Sequence, residues 1–329
     1  NKGINRKGGG LSAPALTNKD KEDIKTAAEL KADYLAVSFP RSGRDMSIAR
    51  DLMIQAGGKS LLMAKIERKE AIEELDSILK ASDAIMVARG DLSVEVGAEA
   101  VPALQKRMIR AARTNNKLVV TATQMMESMV NSRVPTRAEV SDVANAVLDG
   151  TDAVMLSSES ATGQYPVETV EAMARVCLES EKEYQGNLEL RRLRDGIPGT
   201  IEEAVARATM FTTDSLKISA IAALTQSGFT AMLMSRKSSN VPIFALSPQL
   251  DTRRKVTLFR GVYPVIFDGK FQDPEVILTR AENELLKRGV VKKGDLILIT
   301  IGEPVGKAGG TNTMKIVKVG EHVSNKIKN

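Results

Sequence analysis

Leu61-Leu62-Met63-Ala64-Lys65-Ile66-Glu67 is an apolar run, too short for a stable helix, that closes on a cation and an anion two residues apart. Side chains alternate across a strand, so Lys65 and Glu67 project from one face. Working outward, similar short apolar runs recur at Tyr34 to Phe39, Ala84 to Ala88, Leu118 to Thr123 and Ala153 to Leu156. Each reads as a strand buried on both faces of a parallel sheet. Between them, Ile48 to Ala56, Ala71 to Leu79, Val101 to Arg113 and Ala138 to Leu148 carry helical periodicity. The alternation predicts an α/β fold built from five β/α units. A closed TIM-type barrel needs eight strands and roughly 250 residues. The expectation is therefore a partial (β/α)8 barrel, five units of eight.

The reading extends in both directions. Pro135-Thr136-Arg137-Ala138-Glu139 marks a helix start, with a Thr N-cap three residues before a Glu that can cap it in return. Pro166 opens a helix expected to run to about Tyr184, and Gln185 to Thr200 reads as a polar connector. The domain boundary is placed there, giving 1–184 and 185–329. Beyond it, Ile201 to Leu216 is helical, and apolar runs at Ile218 to Leu224, Val241 to Leu246, Val262 to Phe267, Leu296 to Thr300 and Met314 to Val319 predict a second sheet. The second domain is expected to be a separate three-layer α/β unit. The first residues include a Gly-rich stretch, Gly8 to Gly10, and no initial Met, which suggests a fragment.

Composition narrows the chemistry. A length of 329 residues suits about two domains. With 27% charged and 43% hydrophobic residues and a mean hydropathy of -0.14, the chain is expected to fold as an ordinary globular protein. No apolar run approaches the ~20 residues of a membrane helix and the N-terminus is no signal peptide, so a cytoplasmic location without membrane partners is expected. The single cysteine, Cys177, excludes an internal disulfide or a Cys-rich metal site and reads as core packing. The single histidine, His322, reads as a bystander, which leaves Lys, carboxylates, hydroxyls and backbone groups to do any chemistry. A net charge of +6 favours anionic ligands. Nucleic acid is not expected, because 3% aromatics without Trp leave few stacking platforms.

The candidate residues gather at strand ends. In Ala88-Arg89-Gly90-Asp91, Gly90 permits a tight turn and brings Asp91 toward Glu67 on the neighbouring strand. Two carboxylates converging there suit Mg²⁺, which takes one or two carboxylates with waters and substrate oxygens. The backbone amides that follow could hold a small carboxylate if they open a helix. Thr121 and Thr123, expected on one face, end the next run, and Ser157, Ser158 and Glu159 end the fifth. A barrel assembles its active site from such ends, and a lysine with a divalent cation suits phosphoryl transfer. A surface ion pair is the other reading of Lys65 and Glu67. In the second domain, Thr225-Gln226-Ser227-Gly228-Phe229-Thr230 is either a phosphate nest or a plain strand-to-helix turn. Gly302 to Lys307 is too short between glycines for a P-loop.

The stretches Lys65-Ile66-Glu67, Met86 to Leu92, Ala122 to Met129, Pro135 to Glu139 and Asp142 to Gly150 resemble the pyruvate kinase family, in its bacterial form, and the likeness runs on to Thr311-Asn312-Thr313. The resemblance implies transfer of phosphate from phosphoenolpyruvate to ADP, giving pyruvate and ATP in glycolysis. It implies Lys65 as stabiliser of the phosphoryl group in transit, and Glu67 and Asp91 as ligands of Mg²⁺ or Mn²⁺. Ala88, Arg89, Gly90, Asp91 and Thr123 would bind substrate, with Thr123, Ser157 and Glu159 near the route of the proton. K⁺ is implied too, with its family ligands outside this chain. The family is commonly a homotetramer with an allosteric C-terminal domain, and Thr225 to Thr230 corresponds to its site for a sugar-phosphate or nucleotide effector. The start at Asn1 resembles the return from the family's lid domain, implying that three barrel units and most of the lid are absent and that this chain alone turns over poorly or not at all. Ser93, Ser158 and Phe229 depart from the family pattern, where Gly, Gly and a basic residue are usual. The alternatives are a non-catalytic effector-binding or assembly fragment, and a metal-dependent lyase or aldolase acting on phosphoenolpyruvate or pyruvate.

Overall fold

The structure, a computed structural model, describes residues 15–183, 198–237, 239–268, 274–304 and 309–321. His322, Gly8 to Gly10, Lys307 and most of the expected connector lie outside them. The chain divides into two compact units, Asn1–Tyr184 and Gln185–Asn329.

The first unit holds β1 (Tyr34–Val37), β2 (Leu61–Ile66), β3 (Ala84–Ala88), β4 (Leu118–Ala122) and β5 (Ala153–Met155). They pair in chain order, all parallel, as one side of a β/α barrel. β3 and β4 are buried along their whole length, whereas β1 and β5, at the sheet edges, are only half-buried. The continuous apolar runs follow from this, because covered strands have no solvent face to make polar. Helices Gly43–Gln55, Leu75–Ala81 and Val101–Thr114 cover the sheet with a core that includes Met46, Ile78, Ile85 and Met108. Full burial of a side chain such as Ile78 contributes about 1.5–3 kcal/mol.

Two expectations are corrected here. The helix expected over Ala71 to Leu79 is two, Lys69–Glu73 and Leu75–Ala81, broken at Glu74. An unforeseen helix, Asn18–Glu29, precedes β1, closed by a capping box between Thr17 and Asp20. The box expected at Thr136 and Glu139 opens the helix Arg137–Asp149. Cys177 packs beside a methionine-rich core of Met125, Met126, Met129 and Met173.

The second unit holds β6 (Ile218–Leu224), β7 (Ile243–Ser247), β8 (Val262–Ile266), β9 (Leu296–Gly302) and β10 (Thr311–Lys318), in the order β10-β9-β6-β7-β8. Only β10 is antiparallel, to β9. The chain steps outward from β6 to β8 and then returns past β6 to β9. Right-handed crossovers put the helices of these two journeys on opposite faces, which makes three layers. Ala220, Ala222, Ile297 and Ile299 pack toward Ile277, Ala281 and Leu285 of the return helix, Pro274–Lys287. Helices Ile201–Ser215 and Phe229–Lys237 pack together on the other side.

Candidate active site

The end of β2 is gripped from β1. Their pairing runs to Val37 opposite Ala64, so the next two residues of the first strand come up beside the charged end of the second. Lys65 Nζ donates to Ser38 Oγ at 3.2 Å and stands 2.7 Å from Glu67 Oε1. The Phe39 N–H donates to Glu67 Oε2 at 2.8 Å. Lys65 and Glu67 thus share a face, as the strand alternation requires. They are not a solvated surface pair, because Glu67 is 0% exposed. Burial pushes the Glu67 carboxyl above its ordinary value; the Lys65 ammonium and the Phe39 N–H pull it down, and the charge of Asp91 pushes it up again.

The end of β3 is gripped from β4. β3 runs without a break into the helix Arg89–Val96, whose first turn carries Asp91. The β2 and β3 register brings this turn beside Glu67, close enough for the two carboxylates to repel. Thr123, just past β4, has φ +67° and Gln124 has φ +54°. Left-handed backbone at a β-branched residue costs on the order of 1–3 kcal/mol. The Arg89 side chain holds it there: Nη2 donates to the carbonyls of Thr123 at 2.8 Å and Gln124 at 3.0 Å. Arg89 is itself buried and fixed by Asp142, with Nη1 and Oδ2 2.6 Å apart. Thr123 Oγ1 then accepts the Gly90 N–H at 2.8 Å.

Thr121 and Thr123 do not share a face as the alternation suggests. Thr121 is fully buried and donates to Thr151 Oγ1 at 3.0 Å, while Thr123 lies beyond the strand, where the period of two no longer holds. After β5, Ser157 and Glu159 are adjacent in space. Glu159 is 0% exposed, and both its oxygens accept backbone N–H groups, from Ser157 at 2.8 Å and Met126 at 3.1 Å. It ties the loops after β4 and β5 together. Glu139 does likewise for Ser128: burial pushes its carboxyl up, but hydrogen bonds from Ser128 and Thr136 outweigh this and hold it below its ordinary value. The buried Arg89 side chain, Asp142, Ser38 and Phe39 were not singled out from sequence. The signal for the last two was strand register, which places neighbours of adjacent parallel strands side by side.

Among the described residues no group of three or more His, Cys, Asp or Glu could hold a metal ion. Glu67 and Asp91 are a smaller set, of the size Mg²⁺ uses when waters and substrate complete its shell. They fit such an ion: Glu67 Oε1 is buried and accepts no well-angled hydrogen bond, although Lys65 is near.

In the second unit, the loop after β6 curls over a cleft of about 570 Å³, solvent-side space included. Thr225 to Ser227, Phe229, Thr230 and Thr311 line it, with Leu246, Phe267 and Ile301 behind. Gly228, at φ +84°, donates its N–H to Thr225 Oγ1 at 2.8 Å, and the helix Phe229–Lys237 begins at the next residue.

A parallel β/α sheet whose adjacent strand ends carry a lysine, two carboxylates and a hydroxyl is the arrangement of a β/α-barrel enzyme. Comparison with known proteins gives the particular family. Residues 1–170 match the family model for the pyruvate kinase barrel domain, and residues 203–317 that for the pyruvate kinase alpha/beta domain. The chain is 51% identical over 327 residues to pyruvate kinase of Buchnera aphidicola subsp. Baizongia pistaciae, covering 97% of this chain and 67% of that one. It is 52% identical over 323 residues to pyruvate kinase II of Salmonella typhimurium, with the same coverage, and 53% identical over 306 residues to pyruvate kinase of Haemophilus influenzae, covering 92% and 64%. The chain belongs to the pyruvate kinase family, whose members are phosphotransferases, and spans about two thirds of the length of these relatives. Neither the lyase or aldolase nor the binding-module alternative gains support from these matches.

Proposed function

We propose that this chain carries the larger part of a pyruvate kinase active site, for transfer of the phosphoryl group of phosphoenolpyruvate to ADP. The observation that carries the reading is the Lys65, Glu67 and Asp91 group at the ends of β2 and β3, buried at Glu67 and bordered by Thr123. Lys65 stabilises negative charge on the phosphoryl group as it leaves the enol oxygen and meets the β-phosphate of ADP. Glu67 and Asp91 would hold Mg²⁺ or Mn²⁺, which supplies positive charge to the anionic substrate oxygens. Ala88, Arg89 and Gly90 would offer backbone N–H groups and Thr123 its hydroxyl to the substrate carboxylate, which would take the place of the bond between the Gly90 N–H and Thr123 Oγ1. Proton delivery to the enol carbon belongs to the Thr123 and Ser157 side of the site. Glu159, closed off by two backbone donors, supports Ser157 rather than facing substrate. K⁺ is part of the proposal as a second cofactor.

The cleft under Thr225 to Thr230 is proposed as the site of a sugar-phosphate or nucleotide effector. Its support is the run of hydroxyls and backbone N–H groups at a helix start. A homotetramer in the cytoplasm completes the proposal; no helix among the described residues is long and apolar enough to cross a membrane.

The test is pyruvate formation from phosphoenolpyruvate and ADP with Mg²⁺ and K⁺, beside phosphoenolpyruvate binding in the presence of Mn²⁺. Lys65-dependent turnover, or binding abolished by Asp91→Ala, is expected. Binding unchanged in both Lys65→Ala and Asp91→Ala overturns the assignment.

A further inference from the structure

We propose that Phe39, held by Arg68, is a positioning residue that aims Glu67 at the divalent cation; the inference rests on the reading of Glu67 as a metal ligand. Phe39 stands just past β1 with φ +54°, one of two places at the strand ends of this site, with Thr123 and Gln124, where a non-glycine residue is left-handed. Its N–H donates to Glu67 Oε2 at 2.8 Å, and the left-handed turn then carries the chain away from the strand end. One carboxylate oxygen is thereby fixed and the other, Oε1, is left facing Lys65 with no well-angled hydrogen bond of its own. Pro40 follows, and a proline disfavours right-handed helical backbone in the residue before it, closing one route by which Phe39 could relax. The side chain is secured as well. The Arg68 guanidinium carbon lies 5.6 Å from the centre of the Phe39 ring, and Arg68 is 5% exposed. Arg68 directly follows Glu67, so the grip is closed: Glu67 accepts from Phe39, and the residue after Glu67 presses on the Phe39 ring.

The experiment is Mn²⁺ titration of the purified chain, followed by the paramagnetic resonance of free Mn²⁺, in the wild type and four variants whose folds are matched by circular dichroism. Glu67→Gln reports whether this carboxylate binds the ion at all. Phe39→Ala, which cannot hold positive φ without strain, is expected to weaken Mn²⁺ binding about tenfold, the usual scale for a group that orients a ligand. Phe39→Gly, free to adopt positive φ, is expected to stay within about threefold of the wild type. Arg68→Met should fall between them. If Glu67→Gln binds Mn²⁺ like the wild type, the metal reading fails and this inference with it. If Glu67→Gln loses the ion but Phe39→Ala keeps it, or if Phe39→Gly loses as much as Phe39→Ala, the positioning role alone is overturned. A Phe39→Ala chain that does not fold leaves the Arg68→Met and Phe39→Gly titrations to decide: a loss in the first with retention in the second supports the grip, and equal affinities overturn it.

Discussion

The strand ends of the first unit and the loop after β6 in the second are both proposed as sites for small anions, and they are built differently. At the first, a lysine meets the buried Glu67 beside Asp91, and the left-handed backbone belongs to Phe39, Thr123 and Gln124. At the second, Thr225 to Thr230 offers hydroxyls, the Gln226 amide and N–H groups but no charged side chain, and the left-handed position is a glycine, Gly228. Glycine adopts positive φ without a steric cost. It has no side chain, however, and Thr123 uses its hydroxyl to meet the Gly90 N–H. At Thr123 strain is accepted where the strained residue also supplies a hydroxyl, and at Gly228, where only the turn is needed, it is avoided. Charged chemistry needs such fixed groups more than reversible anion binding does, because preorganised charge acts only on the position it is aimed at.

Variants that exchange the features of the two sites put this contrast at risk. The largest effect is expected from Lys65→Ala, a loss of about 10²–10³ in turnover with the complete site, read from steady-state kinetics. No substitution in the effector loop should approach that figure. Next comes the trade at Thr123. Thr123→Gly relieves the backbone but removes the hydroxyl, and is expected to weaken phosphoenolpyruvate binding about tenfold, whereas Thr123→Ser keeps most of the affinity. Equal binding by both would show that the hydroxyl is not why the strain is kept. Gly228→Ala tests the converse. An added Cβ would sit 2.6 Å from Val256 Cγ1 at a φ of +84°, so a loss of about 1–3 kcal/mol is expected, read by thermal or denaturant unfolding.

Glu139 gives a pH test away from both sites. Its folded-state pKa lies below the ordinary value of 4.5, so the stability it contributes is present above that pH and is lost as pH falls through the folded value. The wild type should therefore lose melting temperature more steeply than Glu139→Gln as the pH drops below about 4.5. The smallest effect is expected at Phe229→Arg. A half-exposed cation at the effector loop should tighten phosphate-ester binding by up to about fivefold, measured by calorimetry.

The β/α alternation, each of the ten described strands and the charged strand ends were legible from periodicity, because a strand covered on both faces must be apolar throughout. Lys65 and Glu67 were legible as a pair because the period of two holds inside a strand, and it failed for Thr121 and Thr123 because Thr123 lies outside one. The break at Glu74 was not read because each half is short, and the helix Asn18–Glu29 was not read because it is mostly polar and buries only Ile24.

By itself the sequence determined the class of fold, the family resemblance and the residue types gathered at the strand ends. Tertiary structure alone decided what each of those residues touches. Glu159 became a tie between two loops because its oxygens meet backbone N–H groups in the loops after β4 and β5, and Arg89 became a brace because its side chain turns inward to two carbonyls and Asp142. The physical reason is that a carboxylate or guanidinium acts through what lies within about 3 Å of it. Chain spacing fixes those neighbours within one element, and only the packing of several elements fixes them between strands.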